Sequence, residues 1–376
     1  MQQDTMELIR AAARGVAEIS VSERGLRLHR LPSKYAMFHD HDPLTQTVAD
    51  QLSGVRLALL TSASHIQLTY RSRRDAAEDG SFVSAPSTVS FTCGDQIQSV
   101  AHTDGDLRVW NGADLKEVVT GVDSVAQFTL AATDTPRPVD IWLPHNCQIE
   151  IVDLTADQPL ASAPPIGRLW VHYGSSISHC IEATDPLGVW PVIAARSLGL
   201  DLFNLGLAGS ANIEIFAAQA IADLKPDVVT LKLGINTVNG RHMTRRSFIP
   251  AVHSFVDVIR QSLPSTPIMV ISPIFCEAHE DRPGPTLGGL DGLISAAEDT
   301  SPQWVGELTL TMIREILAAL VARRNDPHLT YVSGLELFCE ADSHLMPDGL
   351  HPNADGYRLI GDRFTPLLRR ILGAEG

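Results

Sequence analysis

The sequence predicts two domains of different class, an antiparallel β-sandwich followed by an α/β domain built on a parallel sheet. Three observations point there. The chain has 376 residues, beyond the roughly 250–300 at which a single core stops growing. From about Glu18 to Leu154 the apolar residues recur with period two, the rhythm of half-buried strands. After Gly167 that rhythm gives way to continuous apolar runs alternating with helical patterns, as in a parallel sheet covered on both faces.

Only the first residues, up to about Ala17, read as helix in the N-terminal half. In "HIQLTYRS" Ile66, Leu68 and Tyr70 alternate with polar neighbours, and Val89, Phe91 and Cys93 keep the same rhythm. Similar runs follow at Val125, Phe128 and Leu130, and at Val139, Ile141 and Leu143. Turn-rich pieces such as "TDGD", "NGAD" and "DTPRP" separate these runs, and short strands so punctuated predict a jelly-roll-like sandwich. The Pro-rich stretch "DQPLASAPPIG", Asp157 to Gly167, reads as a linker and places the domains at about 1–160 and 161–376. Beyond it, "RLWVHYG", "LDLFNLG", "VVTLKLG", "PIMVISPI" and "LTYVSGLELF" read as buried strands, and "SANIEIFAAQAIADL" and "LTLTMIREILAALVARR" as helices between them.

Hydrophobic residues make up 44% of the chain and charged residues 19%, enough apolar content for sizeable cores. The formal net charge of -15 disfavours nucleic acid and anionic membrane surfaces as partners. Neither an apolar signal core near the N-terminus nor a span of membrane length occurs, so a cytoplasmic protein is expected. Five scattered cysteines without a CxxC pair predict reduced, mostly buried thiols and no zinc site.

In open α/β sheets ligands bind beyond the carboxyl ends of the strands. Four blocks lie there: "GSSIS", "NLGLAGSAN", "LGIN" and "DGLHPN". Together they hold what acyl transfer needs. Ser176 offers a hydroxyl to attack a carbonyl, and His351 an imidazole to take its proton. Asp348 stands three positions before His351, a separation that at the start of a helix brings the carboxylate to the ring. The N–H of Ser176, the N–H of Gly209 and the side-chain amide of Asn236 are candidate oxyanion donors.

These blocks resemble those of the SGNH (GDSL-type) hydrolase superfamily over about Arg168 to Leu372. The resemblance implies a flavodoxin-like three-layer α/β/α fold, with Ser176 as nucleophile, Gly209 and Asn236 in the oxyanion hole, and His351 and Asp348 as base and orienter. Ser175 stands where many members have Asp, and Thr237 where many have a second Asp after the Asn. The N-terminal half resembles the β-sandwich that precedes this domain in some bacterial carbohydrate esterases. The resemblance therefore implies a serine esterase that needs no metal or organic cofactor, acting on a short-acyl ester such as an O-acetylated saccharide. A thioesterase or lysophospholipase on the same site, and a binding protein with a decayed site, are the alternatives.

Several neighbours carry plainer expectations. Ser175 reads as structural, His179 as structural or peripheral, and Cys180 as a small buried apolar residue. Trp190 in "PLGVWP" is a candidate substrate contact, and Glu277, with His279, Glu280 and Asp281 in the long Gly/Pro-rich connection Cys276 to Pro302, is a candidate contact to substrate or a metal. Against them stand a core role for the tryptophan and a solvated acidic loop for Glu277, His279, Glu280 and Asp281.

Overall fold

The computed structural model describes residues 1–112, 114–289, 292–298 and 306–373. They divide into two compact units, Met1–Ile166 with Asp185–Leu187, and Gly167–Thr184 with Gly188–Gly376. Positions 290–291 and 299–302 of the long connection lie outside the described residues.

The first unit is a sandwich of two sheets. One runs in the order Ala13–Arg14, Arg56–Thr61, Arg137–Trp142, Ser87–Cys93, Gln96–His102. The other runs Glu18–Val21, Leu26–His29, Gln148–Ala156, His65–Ala77, Asp106–Asn111, Asp114–Val119. Along His65–Ala77 every second residue is buried, which turns Ile66, Leu68 and Tyr70 into a core shared with Leu57, Phe91, Phe128 and Ile141. The rings of Phe91 and Phe128 stack at 4.8 Å. Pairing is antiparallel with one exception among the described residues, the parallel ladder of Arg73–Ala77 on Asp106–Trp110.

Three features depart from the sequence reading. The first helix stops at Ala12, not Ala17. A second helix, Pro43–Ala49, interrupts the strands; Asp42 caps it by accepting from the N–H groups of Leu44 and Thr45, with Pro43 at its first position. That Asp-Pro start is a sequence signal in its own right. Inside the supposed linker, Leu160–Ser162 forms a strand on Arg56–Thr61.

In the second unit five parallel strands lie in the order Asp201–Gly206, Leu169–Gly174, Val228–Lys232, Ile268–Ile271, Leu329–Val332. This is the flavodoxin-like order, which reverses direction between the strands beginning at Leu169 and Val228. Helices cover both faces. On one, Trp170 packs against Trp190 and Phe364, from the helices Trp190–Leu198 and Ala354–Ile371. On the other, Tyr173 meets Phe255 of the helix Arg245–Ser262, as an offset of three along a strand requires. No helix among the described residues is long and apolar enough to cross a membrane.

Candidate active site

Ser176 begins a four-residue helix, Ser176–His179, directly after the Leu169–Gly174 strand. The turn sits so low on the sheet that two strand ends must be glycine. A Cβ on Gly206 would lie 2.4 Å from the backbone nitrogen of His179, and one on Gly174 would lie 2.3 Å from Ser178 Oγ. Buried groups tie the turn down from below. Ser178 Oγ is bonded to His172 Nε2 at 2.8 Å, and Asn204 Nδ2 donates to the Ser178 carbonyl at 2.9 Å. Burial holds His172 neutral, with a pKa of about 3, so it serves as a fixed polar strut. Ser175 takes the N-cap position through its backbone: its carbonyl accepts from the N–H groups of Ser178 and His179. Its hydroxyl makes no cap bond.

The imidazole beside Ser176 comes from 175 positions further along the chain. His351 Nε2 lies 2.9 Å from Ser176 Oγ, and His351 Nδ1 lies 2.7 Å from Asp348 Oδ2. The expected helix start is not what joins the pair, since the helix begins only at Ala354, capped by Asn353. Instead Asp348 Oδ1 accepts from the N–H groups of Leu350 and His351, at 2.8 and 2.7 Å, and so folds its own turn. One carboxylate thus shapes the loop with one oxygen and holds the ring with the other. Burial works against its charge, but the bonds from the His351 ring and from these two N–H groups outweigh it and bring the pKa down to about 2. Burial also favours the neutral form of His351; the bond to Asp348 and the charges of Glu182 and Asp348 outweigh it and raise the pKa above the ordinary histidine value.

Ser176 is 8% exposed and Asn236 4%. Asn236 lies in the short helix Ile235–Asn239 just past the Val228–Lys232 strand, across the reversal point of the sheet from Ser176. Its side-chain oxygen accepts from the N–H of Ala211 at 3.1 Å, so the amide nitrogen is the end left to donate. Gly209 stands in the same Ala211 loop, exposed, with a φ of +71° that favours glycine. The structure therefore brings Ser176, Asp348 and His351 into one hydrogen-bonded chain and ties Asn236 to the loop of Gly209.

The sequence model of the GDSL-like Lipase/Acylhydrolase family matches residues 172–359, half of the chain. The chain belongs to this family. No curated protein matches it. Among solved structures, the salicylyl-acyltransferase SsfX3 from a tetracycline biosynthetic pathway is similar with a TM-score of 0.76, at 23% identity over 96% of this chain and 94% of that one. A family two carbohydrate esterase from Clostridium thermocellum, in complex with cellohexaose, gives a TM-score of 0.55 at 14% identity over 85% and 92%. Its counterpart from Cellvibrio japonicus gives 0.56 at 13% over 86% and 90%. Such identities establish a shared fold, including the added N-terminal domain.

Within this GDSL-like frame two expected substrate contacts part ways. Trp190 is fully buried, its Nε1 donating to the Ile177 carbonyl at 2.7 Å, and it packs on His172 and Phe364. It supports the Ser176–His179 helix from behind and offers no surface to a substrate. Glu277 is exposed on the short turn Glu277–His279. The solvated reading of the loop around it fails at its neighbours: His279 is fully buried with Nε2 2.7 Å from Thr286 Oγ1, and Glu280 receives a two-pronged bond from Arg314 at 2.6 and 2.7 Å. From this anchored base a hairpin, Thr286–Gly288 with Ile294–Ala296, reaches the Asp348 loop, where the Ile294 N–H donates to the Asp348 carbonyl at 3.0 Å. Cys276 Sγ bonds the Gly349 carbonyl at 3.3 Å. His179 and Cys180 are fully buried. Among the described residues no group of three or more His, Cys, Asp or Glu is placed to hold a metal ion.

One acidic neighbour escaped the sequence reading. Glu182 places Oε1 3.8 Å from His351 Nδ1. No motif signals it, because it lies in an irregular segment after the Ser176–His179 helix.

Proposed function

We propose that the chain is a carboxylic-ester hydrolase that works through an acyl-serine intermediate on Ser176. The observation that carries this reading is the continuous chain Ser176 Oγ, His351 Nε2, His351 Nδ1, Asp348 Oδ2, with links of 2.9 and 2.7 Å. As Oγ attacks the ester carbonyl, His351 Nε2 takes its proton, and the resulting imidazolium lies against the ionised Asp348. The oxyanion is met by the N–H groups of Ser176 and Gly209 and the amide of Asn236. Collapse breaks the bond to the alcohol, which leaves with the proton from Nε2. Water then gives its proton to the same nitrogen, attacks the acyl-serine, and releases the acid as Oγ recovers its proton. Each proton and charge is handled by groups of the chain itself.

For substrate, the reading is a short-acyl ester, an O-acetylated saccharide in particular. Its support is the shared fold and domain order with family two carbohydrate esterases. The likeness to an acyltransferase over nearly the whole chain favours a second reading, in which an acceptor alcohol replaces water in the second half-reaction. A fluorophosphonate should label Ser176 alone, located by peptide mass spectrometry. Acetyl esters should turn over faster than octanoyl or palmitoyl esters and thioesters, and acetylated oligosaccharides should release acetate. Labelling at another serine, or no turnover of any ester, would overturn the hydrolase reading. Product ester formed in the presence of added acceptor alcohols, in excess over free acid, would select the transferase.

A further inference from the structure

Two carboxylates converge on one imidazole nitrogen. The helix that starts at Ser176 ends at Cys180, whose φ is +61°, and the next turn is closed by the Ala183 N–H on the Cys180 carbonyl at 3.0 Å. This reversal carries Glu182 back toward the base. Its Oε1 lies 3.8 Å from His351 Nδ1, the atom that Asp348 Oδ2 approaches to 2.7 Å. The longer contact is one of charge, not a hydrogen bond. The other oxygen, Oε2, accepts from the Tyr357 hydroxyl at 2.6 Å. Tyr357 is fully buried on the helix Ala354–Ile371, and burial keeps its phenol protonated and donating. Glu182 is thus clamped by the helix that comes after His351, with its free edge toward the ring.

We propose that Glu182 is a positioning residue for His351, a second carboxylate on Nδ1 that stabilises the imidazolium and keeps part of the ring's orientation when Asp348 is lost. This rests on the reading of His351 as the base. The bond geometry makes Asp348 the primary partner and Glu182 the reserve. Glu182 also raises the proton affinity of the ring. Among the described residues, the charges that bear on the ring are those of Glu182 and Asp348. Cys276, facing Asp348, and Cys180, behind Glu182, are thiols held protonated by burial. Glu280 is bound by Arg314, and Lys232, drawn down to about 7 by burial, bears on Cys180 and His172.

A base works only when neutral, so activity falls as pH drops through the pKa of His351, and a neighbouring anion moves that loss to higher pH. Removing the anion moves it back down. The test is the second-order rate of Ser176 labelling by a fluorophosphonate between pH 5 and 9, which needs no knowledge of the natural ester. In Glu182→Gln the ratio of the rate at pH 5.5 to that at pH 8 should rise about three- to tenfold over the parent. Tyr357→Phe, which frees the carboxylate without removing it, should change that ratio in a smaller measure. In an Asp348→Asn background Glu182→Gln should lower the rate at pH 8 by about tenfold more than it does in the parent. Labelling that is normal in the parent, with an acid limb unmoved in both single variants and losses that simply multiply, overturns the role of Glu182 alone. A parent chain that is not labelled at Ser176 sinks the base reading and this inference with it.

Discussion

Ser176 stands on a buried turn packed over two glycine-ended strands, with His172, Asn204 and Trp190 beneath it, whereas His351 stands on a loop shaped by one carboxylate, its side chain 22% exposed and its two acidic neighbours 32% and 37% exposed. Ser176 is therefore placed by close packing, and His351 by charge and short hydrogen bonds. Packing resists displacement but has little to say about protonation. Charge sets protonation and is sensitive to pH and salt. Damage behind Ser176 should accordingly show in melting temperature, and damage behind His351 in the pH profile.

The most severe way to break this comparison is to remove the base itself. His351→Ala should lower kcat by about 10⁵- to 10⁶-fold, because the members of such a relay act as a unit. Its melting temperature should stay close to that of the parent, since the partly exposed ring closes no core. Steady-state ester turnover together with calorimetry reads both. A variant that loses stability as heavily as activity would show that the loop, too, is placed by packing.

A middle-sized effect belongs to the donor side. The Asn236 amide is directed by its bond to the Ala211 N–H and takes no part in generating the nucleophile, so Asn236→Ala should cut kcat by about 100- to 1000-fold with KM nearly unchanged. The fluorophosphonate labelling rate should fall as well, while its pH dependence stays that of the parent. Parental turnover by the folded variant would mean that the "LGIN" block only ends a strand.

The same division separates what was legible in the sequence from what was not. The placement of Ser176 and Asn236 just past strand ends could be read because a sheet of buried apolar runs is easy to recognise, and such ends are where ligands bind. The Asp348–His351 pairing was legible as a spacing, but its cause, a turn closed on the Asp348 carboxylate, was not. Glu182 was invisible, since its approach depends on a left-handed residue at Cys180 and on a clamp from Tyr357, 175 positions away. Trp190 was ambiguous because an aromatic at a helix start fits a pocket wall and a core equally well; only its burial decides. The Pro43–Ala49 helix was masked by the period-two rhythm on either side, although Asp42 and Pro43 carry an ordinary helix-start signal.

The smallest expected effect on catalysis is also the sharpest test of the division, and it comes from the tryptophan that the sequence offers as a pocket residue. Trp190→Phe keeps an aromatic ring against Trp170, His172 and Phe364 but removes the donor that satisfies the Ile177 carbonyl. The Ile177 carbonyl then keeps only the weak Cys180 thiol donor at 3.3 Å, a loss of about 1–3 kcal/mol to which the smaller ring adds. At roughly 2–4 °C per kcal/mol for a domain of this size, the melting temperature should fall by about 2–12 °C. The turn keeps its other anchors, the bonds of Ser178 to His172 and Asn204, so well below the transition kcat/KM should fall by no more than about threefold, with the acid limb where the parent has it. Opposite signatures in Trp190→Phe and Glu182→Gln, one seen in the melt and the other in the pH profile, would establish that the two partners are held by separate means. A Trp190→Phe variant of parental stability whose acid limb has moved would show instead that the packing beneath Ser176 reaches the imidazole and tunes it.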